Sequence, residues 1–329
     1  LYRVQRVLSI LSTLLLAATI VLTVDEFDAS VILRTSEATW VMAIGGAVLV
    51  FSVVGLAWAQ SSSDLARYQR LGTSTGATSV WSIVGTVVPT LAIISWGAIL
   101  AASNPALVDT LSRQPLEALL GLVPTWFVIP LAAAAGIGLL SAAIVCMYSG
   151  GLAINALGVR MPRAIATVLA AILVGAAGFL LLVIGADARD IVQDLATTLA
   201  VPVAAWAGLF AGEMILRRRP FHSPSLLAAG GVYPAVRWGN LLALLVITGI
   251  GFGFTTAAVA GLEWQGYLLS ALGFGSDDAF AVVDSGVILA LILGLLFSLA
   301  AGLPAVRRQE RRSEATGTAG MPVVDALVD

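Results

Sequence analysis

The chain has no lysine, one cysteine, one histidine and few charges of any kind. The lone cysteine, Cys146, excludes an internal disulfide framework and a metal site built from thiolates. The lone histidine, His222, leaves a histidine-based metal centre equally short of ligands. Charged residues are 11% of the 329, where soluble domains carry about a quarter, and hydrophobic residues are 59%. A chain this apolar cannot cover its surface with polar groups in water, so lipid must be the solvent for most of it. Net charge, at −2, decides nothing; placement of the charges does. All 17 basic residues are arginine, and the wealth of Ala, Gly and Val is that of a high-GC bacterial genome. No nucleotide-binding P-loop, soluble domain or internal repeat is legible, and nothing points to nucleic acid as a partner.

Leu1 opens almost directly on an apolar run. That run is too long for a secretory signal and lacks a small-residue cleavage site. The expectation is the C-terminal part of a longer protein; a mature or alternatively started N-terminus is the other reading.

A bilayer core takes about 20 apolar residues in a helix. Eight segments qualify, near 5–24, 38–58, 79–101, 131–157, 164–185, 192–215, 238–261 and 281–303. The expected fold class is therefore an all-α polytopic membrane protein of about eight spans. Between the spans the charges alternate in sign. Arg3 and Arg6, Arg67 and Arg70, Arg160 and Arg163, Arg217 to Arg219 with Arg237, and Arg307, Arg308, Arg311 and Arg312 fall on one side, 14 of the 17. Asp25, Glu26, Asp28, Glu37, Asp109, Glu117, Asp187, Asp190, Asp194, Glu263, Asp277, Asp278 and Asp284 fall on the other. The arginine-rich side is the cytoplasm by the positive-inside rule, which puts both ends of the chain inside a bacterial cell (inner) membrane. The uncharged stretch from Ala118 to Val159 is long enough for two crossings. Two would reverse the sign pattern that follows, so it is read as one, with Pro124 and Pro130 breaking off a short interfacial helix ahead of it. Residues 304–329 read as a cytoplasmic tail, polar and without structure from about Gln309.

Ionisable groups inside the spans are the usual functional pointer in membrane proteins, and here the spans are almost free of them. Glu213 stands four residues before Arg217, as a helix-end ion pair would. Without convergent acid, base or metal residues a membrane enzyme is disfavoured. The spans do carry small and polar residues where a helix can open. The second, "AIGGAVLVFSVVGLAWAQSSSDLARYQR", has Gly45, Gly46 and Gly55, then Trp58, Gln60, Ser61, Ser62 and Ser63. Broken helices of this kind build the central sites of secondary transporters; close helix packing is the alternative. The fourth, "LAAAAGIGLLSAAIVCMYSGGLAINALGVR", offers Ser141, Cys146, Met147 and Tyr148, with Ser149-Gly150-Gly151 able to loosen it or to pack it tightly. Trp81, Trp96, Trp126 and Trp264 lie near span ends, as interfacial anchors do.

The segment "WAQSSSDLARYQR", residues 58–70, resembles the purine–cytosine permease branch of the nucleobase–cation symporter family. That branch has a Trp-x-Pro followed by an Asp-Tyr-Ser-Arg-Tyr box at the cytoplasmic end of its sixth helix. Asp64, Arg67 and Tyr68 match the box and Trp58 the Trp, while Gln60 replaces the Pro and Leu65-Ala66 the middle of the box. In the same order, "MYSGGLAINALGVRMPR" (147–163) is similar to the family's Tyr-Ser-x-Gly-Leu segment. "AWAGLFAGEMILRRR" (205–219) is similar to its Trp-Ala-Gly segment, with Glu213 where an Asp is usual. "GGVYPAVRWGNLLALL" (230–245) is similar to its Gly-Gly-x-Tyr approach to the next helix.

The resemblance implies part of the inverted-repeat fold of the sodium-coupled amino-acid transporters plus two extra helices, the eight spans being helices 5 to 12. The implied activity is sodium- or proton-coupled uptake of a nucleobase, cytosine or purine, or a related small heterocycle, with no other cofactor. Ser52, Gly55, Trp58, Gln60 and Cys146 would bind substrate and Ser141 the cation. Asp64, Arg67 and Tyr68 would form the cytoplasmic motif. The family often has an Asn near Cys146, whose thiol cannot replace an amide, so the substrate stays open. A membrane scaffold or interaction subunit is the alternative function, a membrane-embedded enzyme the third.

Overall fold

The computed structural model describes residues 2–34, 40–59, 61–66, 68–69, 72–159, 161–184, 188–226, 231–275 and 278–317. Among them all regular structure is helical. Among the described residues five helices are long and apolar enough to cross a membrane, or up to seven if each of two bent pairs counts as one span. The chain is thus a helical membrane protein.

The chain divides into two compact units, residues 1–39 with 61–192, and 40–60 with 193–329. The first holds α1 (Tyr2–Leu22), α3 (Thr75–Ser103), α4 (Pro105–Arg113), α5 (Pro115–Leu122), α6 (Thr125–Ala156) and α7 (Arg163–Ile184). The second holds α2 (Trp40–Val50, prolonged by Phe51–Leu56), most of α8 (Ala188–Leu216), α9 (Trp238–Gly253), α10 (Ser285–Ala301) and α11 (Leu303–Gly317).

In the first unit α6 is the central helix, with α1 and α7 packed on it. Leu15, Ala18 and Leu22 of α1 meet Val123, Phe127 and Leu131. On the α7 side the small residues pack tightly. A Cβ on Gly151 would sit 2.5 Å from the Thr167 hydroxyl, and one on Gly150 3.0 Å from Ala170. Gly150-Gly151 therefore admits a neighbouring helix, and α6 runs unbroken through it. Pro130 does not break the helix either; it lies inside α6, which runs on at the cost of the bond that a residue-130 N–H would have made to the Trp126 carbonyl. The break comes at Pro124, the N-cap, so this span begins earlier than the sequence suggested, with α4 and α5 as the short helices before it. Ser74 caps α3, accepting from the Ala77 amide. Trp96 is a cross-link: its indole N–H donates to buried Thr23 at 2.9 Å.

The second unit is built on close approach of α8, α9 and α10. Val201, Ala204, Ala205 and Leu209 of α8 form one core with Ala243 and Ile247 of α9 and Val287 and Ala290 of α10; Val48 and Leu56 of the second span complete it. Glycines let backbone meet backbone. A Cβ on Gly294 would lie 2.5 Å from the Ala205 carbonyl, and one on Gly286 2.0 Å from that of Gly251. Ser298 donates to the Leu209 carbonyl at 2.6 Å across the α8–α10 seam.

Two further elements depart from expectation. The seventh span, expected over 238–261, stays helical only to Gly253. Its 16 residues reach about 24 Å, short of a core of about 30 Å. The tail, expected to lose structure near Gln309, continues as α11 to Gly317, bent 60° from α10.

Candidate functional site

The second span changes its winding where the sequence placed its substrate residues. Trp40–Val50 is α-helical, Phe51–Leu56 is π-helical, and α-helix resumes at Ala57–Ala59. A π segment is an α-helix with one residue too many for its turn, which shifts the side chains beyond it and spoils the backbone hydrogen-bond register. Its sequence, FSVVGL, explains where the strain is taken up. Gly55 has no side chain, and a Cβ there would touch the Phe51 ring at 3.0 Å. Ser52 is buried and donates to the Val48 carbonyl at 2.8 Å, so it braces the turn from inside. Trp58 lies beyond the π turn and is exposed. Gln60 and Arg67 lie outside the described residues.

The other expected site residues belong to the first unit. Ser141 and Val145 are buried on one face of α6, while Cys146 is exposed. Five residues along an α-helix turn about 140°, so Ser141 and Cys146 do not share a face. Asp64 lies in the first turn of the short helix Ser62–Ala66. Tyr68, four residues on, meets Tyr148 hydroxyl to hydroxyl at 2.6 Å. Arg163 donates to the same Tyr148 hydroxyl at 3.2 Å and lies over its ring, 5.6 Å from the centroid. The structure thus brings together residues of two of the motif segments, 58–70 and 147–163, at one end of α6.

The sequence missed two carboxylates. Asp194 and Asp284 read as loop charges beside apolar spans, yet both are buried. They serve the stretch that follows α9, residues 254–266, whose amides have no helix to bond within. Asp194 Oδ2 accepts from the Ala258 amide at 2.6 Å and the Val259 amide at 2.9 Å. Asp284 Oδ1 accepts from the Thr256 amide at 3.2 Å, and the Gln193 side chain bonds the same carboxylate. The segment is tied further by Gly266 N–H to the Phe252 carbonyl at 2.9 Å and by Gly286 N–H to the Phe254 carbonyl at 3.0 Å. Asp284 has φ 49°, and it alone among the described non-glycine residues has a positive φ. The available signal was the Asp194-x-x-Thr197-Thr198 spacing, which sets polar groups on one helix face, followed by a Gly- and Thr-rich run after a short span.

At the other end of α8 the expected Glu213–Arg217 pair is present and larger than expected. Arg217 and Arg237 bind the two oxygens of Glu213, and Arg217 also donates to Gln309 of α11 at 2.8 Å. The Arg217 guanidinium stacks 4.0 Å above the Phe221 ring. No family model, curated protein or solved structure matches this chain.

Proposed function

We propose that the chain forms the membrane part of a secondary active transporter that takes up a flat heterocycle, a nucleobase or a related ring, coupled to sodium or proton entry. The observation that carries this reading is the π segment Phe51–Leu56 in the middle of the second span. Helix interiors avoid π geometry, and where it occurs it commonly marks a functional site. Here it falls on Ser52 and Gly55 and is followed by an exposed indole, Trp58, of the kind that stacks on a flat ring. The non-helical stretch after α9 adds a second opening at membrane depth, held by buried carboxylates.

In this reading the protein sits in a bacterial inner membrane with eight crossings. The seventh is α9 with its unwound continuation, and the eighth is α10. The arginine-rich ends face the cytoplasm, and the fold is the inverted-repeat type that the motif order implies. Substrate contacts come from Ser52, Gly55, Trp58 and Gln60 of the second span.

The test is uptake of radiolabelled cytosine, adenine, hypoxanthine and hydantoin by cells expressing the protein, with insertion verified by protease protection. Uptake of one ring, dissipated by an ionophore and reduced at least tenfold in Trp58→Ala, supports the reading. Absence of uptake of every ring by correctly inserted protein overturns it and leaves the membrane interaction subunit.

A further inference from the structure

We propose that α11 is a docking surface for the anionic phospholipid headgroups of the membrane in which the apolar helix α10 lies. The proposal rests on the membrane assignment alone and holds whether or not the protein is a transporter.

The sequence of α11, LPAVRRQERRSEATG, sets Arg307, Arg308, Arg311 and Arg312 at positions i, i+1, i+4 and i+5. At about 100° per residue these four fill an arc of about 140°. All four are exposed. The opposite arc holds Val306 and Gln309, both buried, and the half-buried Glu310 and Ser313.

The two acidic residues lie outside that arc and are engaged by the end of α8. Glu310 accepts from the backbone amides of Arg218 at 2.7 Å and Arg219 at 3.0 Å, where α8 has just ended. Glu314 pairs with the Arg219 guanidinium. Gln309 is held by Arg217. The described part of the helix therefore turns both carboxylates to the α8 end, and the arc that carries the four arginines holds no acidic residue.

Position selects the partner. Arg307 comes six residues after Ala301, the last residue of an apolar helix that reads SGVILALILGLLFSLAA. The 60° bend at Gly302 takes α11 out of line with that helix, as a helix that lies along headgroup phosphates beside a span must be. Planar guanidinium groups bind phosphate oxygens in pairs, and a row of them beside a span is attracted to an anionic leaflet. A soluble acidic protein would meet the same charges but would have to compete with the headgroups already at that depth.

The full chain is reconstituted in nanodiscs of phosphatidylcholine alone or of phosphatidylcholine with phosphatidylglycerol, and trypsin cleavage after Arg307, Arg308, Arg311 and Arg312 is followed by mass spectrometry. Cleavage should be about fivefold slower or more in the phosphatidylglycerol discs, and the protection should vanish in high salt. In parallel, R307Q/R308Q/R311Q/R312Q should carry several-fold less phosphatidylglycerol through purification from mixed-lipid membranes than the parent. Equal cleavage in both discs overturns the proposal, as does protection that survives high salt. Because the first measurement uses the unaltered chain, misfolding of the fourfold variant cannot rescue it.

Discussion

The hydroxyls of Tyr68 and Tyr148 stand 2.6 Å apart although 80 residues separate them. Tyr148 lies on α6, a rigid span; Tyr68 lies just beyond the short helix Ser62–Ala66. The bond, supported by Arg163 at 3.2 Å, ties a connecting segment to a span.

Tyr148→Phe keeps the ring beneath Arg163 and removes both hydroxyl contacts. At this exposed position the loss should be about 0.5–1.5 kcal/mol and confined to the segment. Hydrogen exchange of peptides covering 61–69 should quicken in the variant while α6 itself is unchanged. If those peptides exchange at the parent rate, the tyrosine pair does not hold the segment.

The seam of α8, α9 and α10 predicts a contrast between glycines. In Gly286→Ala the new methyl would lie 2.0 Å from the Gly251 carbonyl, and in Gly294→Ala 2.5 Å from the Ala205 carbonyl. Both obstacles are backbone, so no rotamer change relieves them, and each substitution should cost about 1–3 kcal/mol or more. Gly85→Ala has open space around it and gains helix propensity of about 0.8–1 kcal/mol. Thermal stability in detergent should therefore fall for the first two and hold or rise for the third.

The same glycines show what the sequence could and could not convey. The helices were legible because apolar runs of about 20 residues favour them: α1, α3, α7 and α8 overlap the segments that hydropathy marked, while α6 starts earlier and α9 ends sooner. The Glu213–Arg217 pair was legible because i and i+4 share a helix face. Which glycine packs and which loosens was not, since Gly55 in a π turn and Gly151 under α7 look alike until the partner helix is placed. Asp194 and Asp284 were hidden for a related reason. A carboxylate beside a span reads as a solvated loop charge, and only the unwound backbone of 254–266 shows that it is a buried acceptor. The polar tail was read as unstructured because its hydropathy is low, yet α11 is held by bonds to the α8 end that no local pattern contains.

Asp194 supports a prediction about that unwound stretch. Asp194→Ala strips the acceptor from the buried Val259 amide, a loss of about 1–3 kcal/mol, and from the more accessible Ala258 amide, which water can reach. Asp194→Asn keeps one oxygen in place and should cost less. Exchange at residues 256–260 should rise most in Asp194→Ala, less in Asp194→Asn, and hardly at all in a Glu263→Gln control. Equal protection in the parent and Asp194→Ala would falsify the carboxylate's part in holding the segment.

Glu213 gives the sharpest energetic contrast. Its carboxylate is the counter-charge for both Arg217, whose side chain is 3% exposed, and Arg237. Glu213→Gln leaves a buried guanidinium without an anion, and breaking a buried pair from one side costs about 3–5 kcal/mol. Removing Arg217 as well removes the more deeply buried of the two stranded charges, so Glu213→Gln/Arg217→Gln should be more stable than Glu213→Gln alone. The Gln309 bond to Arg217 lies in the same network, so Glu213→Gln should leave α11 held while Arg217→Gln loosens it, seen as faster exchange over 305–315. A double-mutant cycle on melting temperature with no coupling between 213 and 217 would show that the pair is solvated, and unchanged exchange over 305–315 in Arg217→Gln would show that the Gln309 bond does not hold α11.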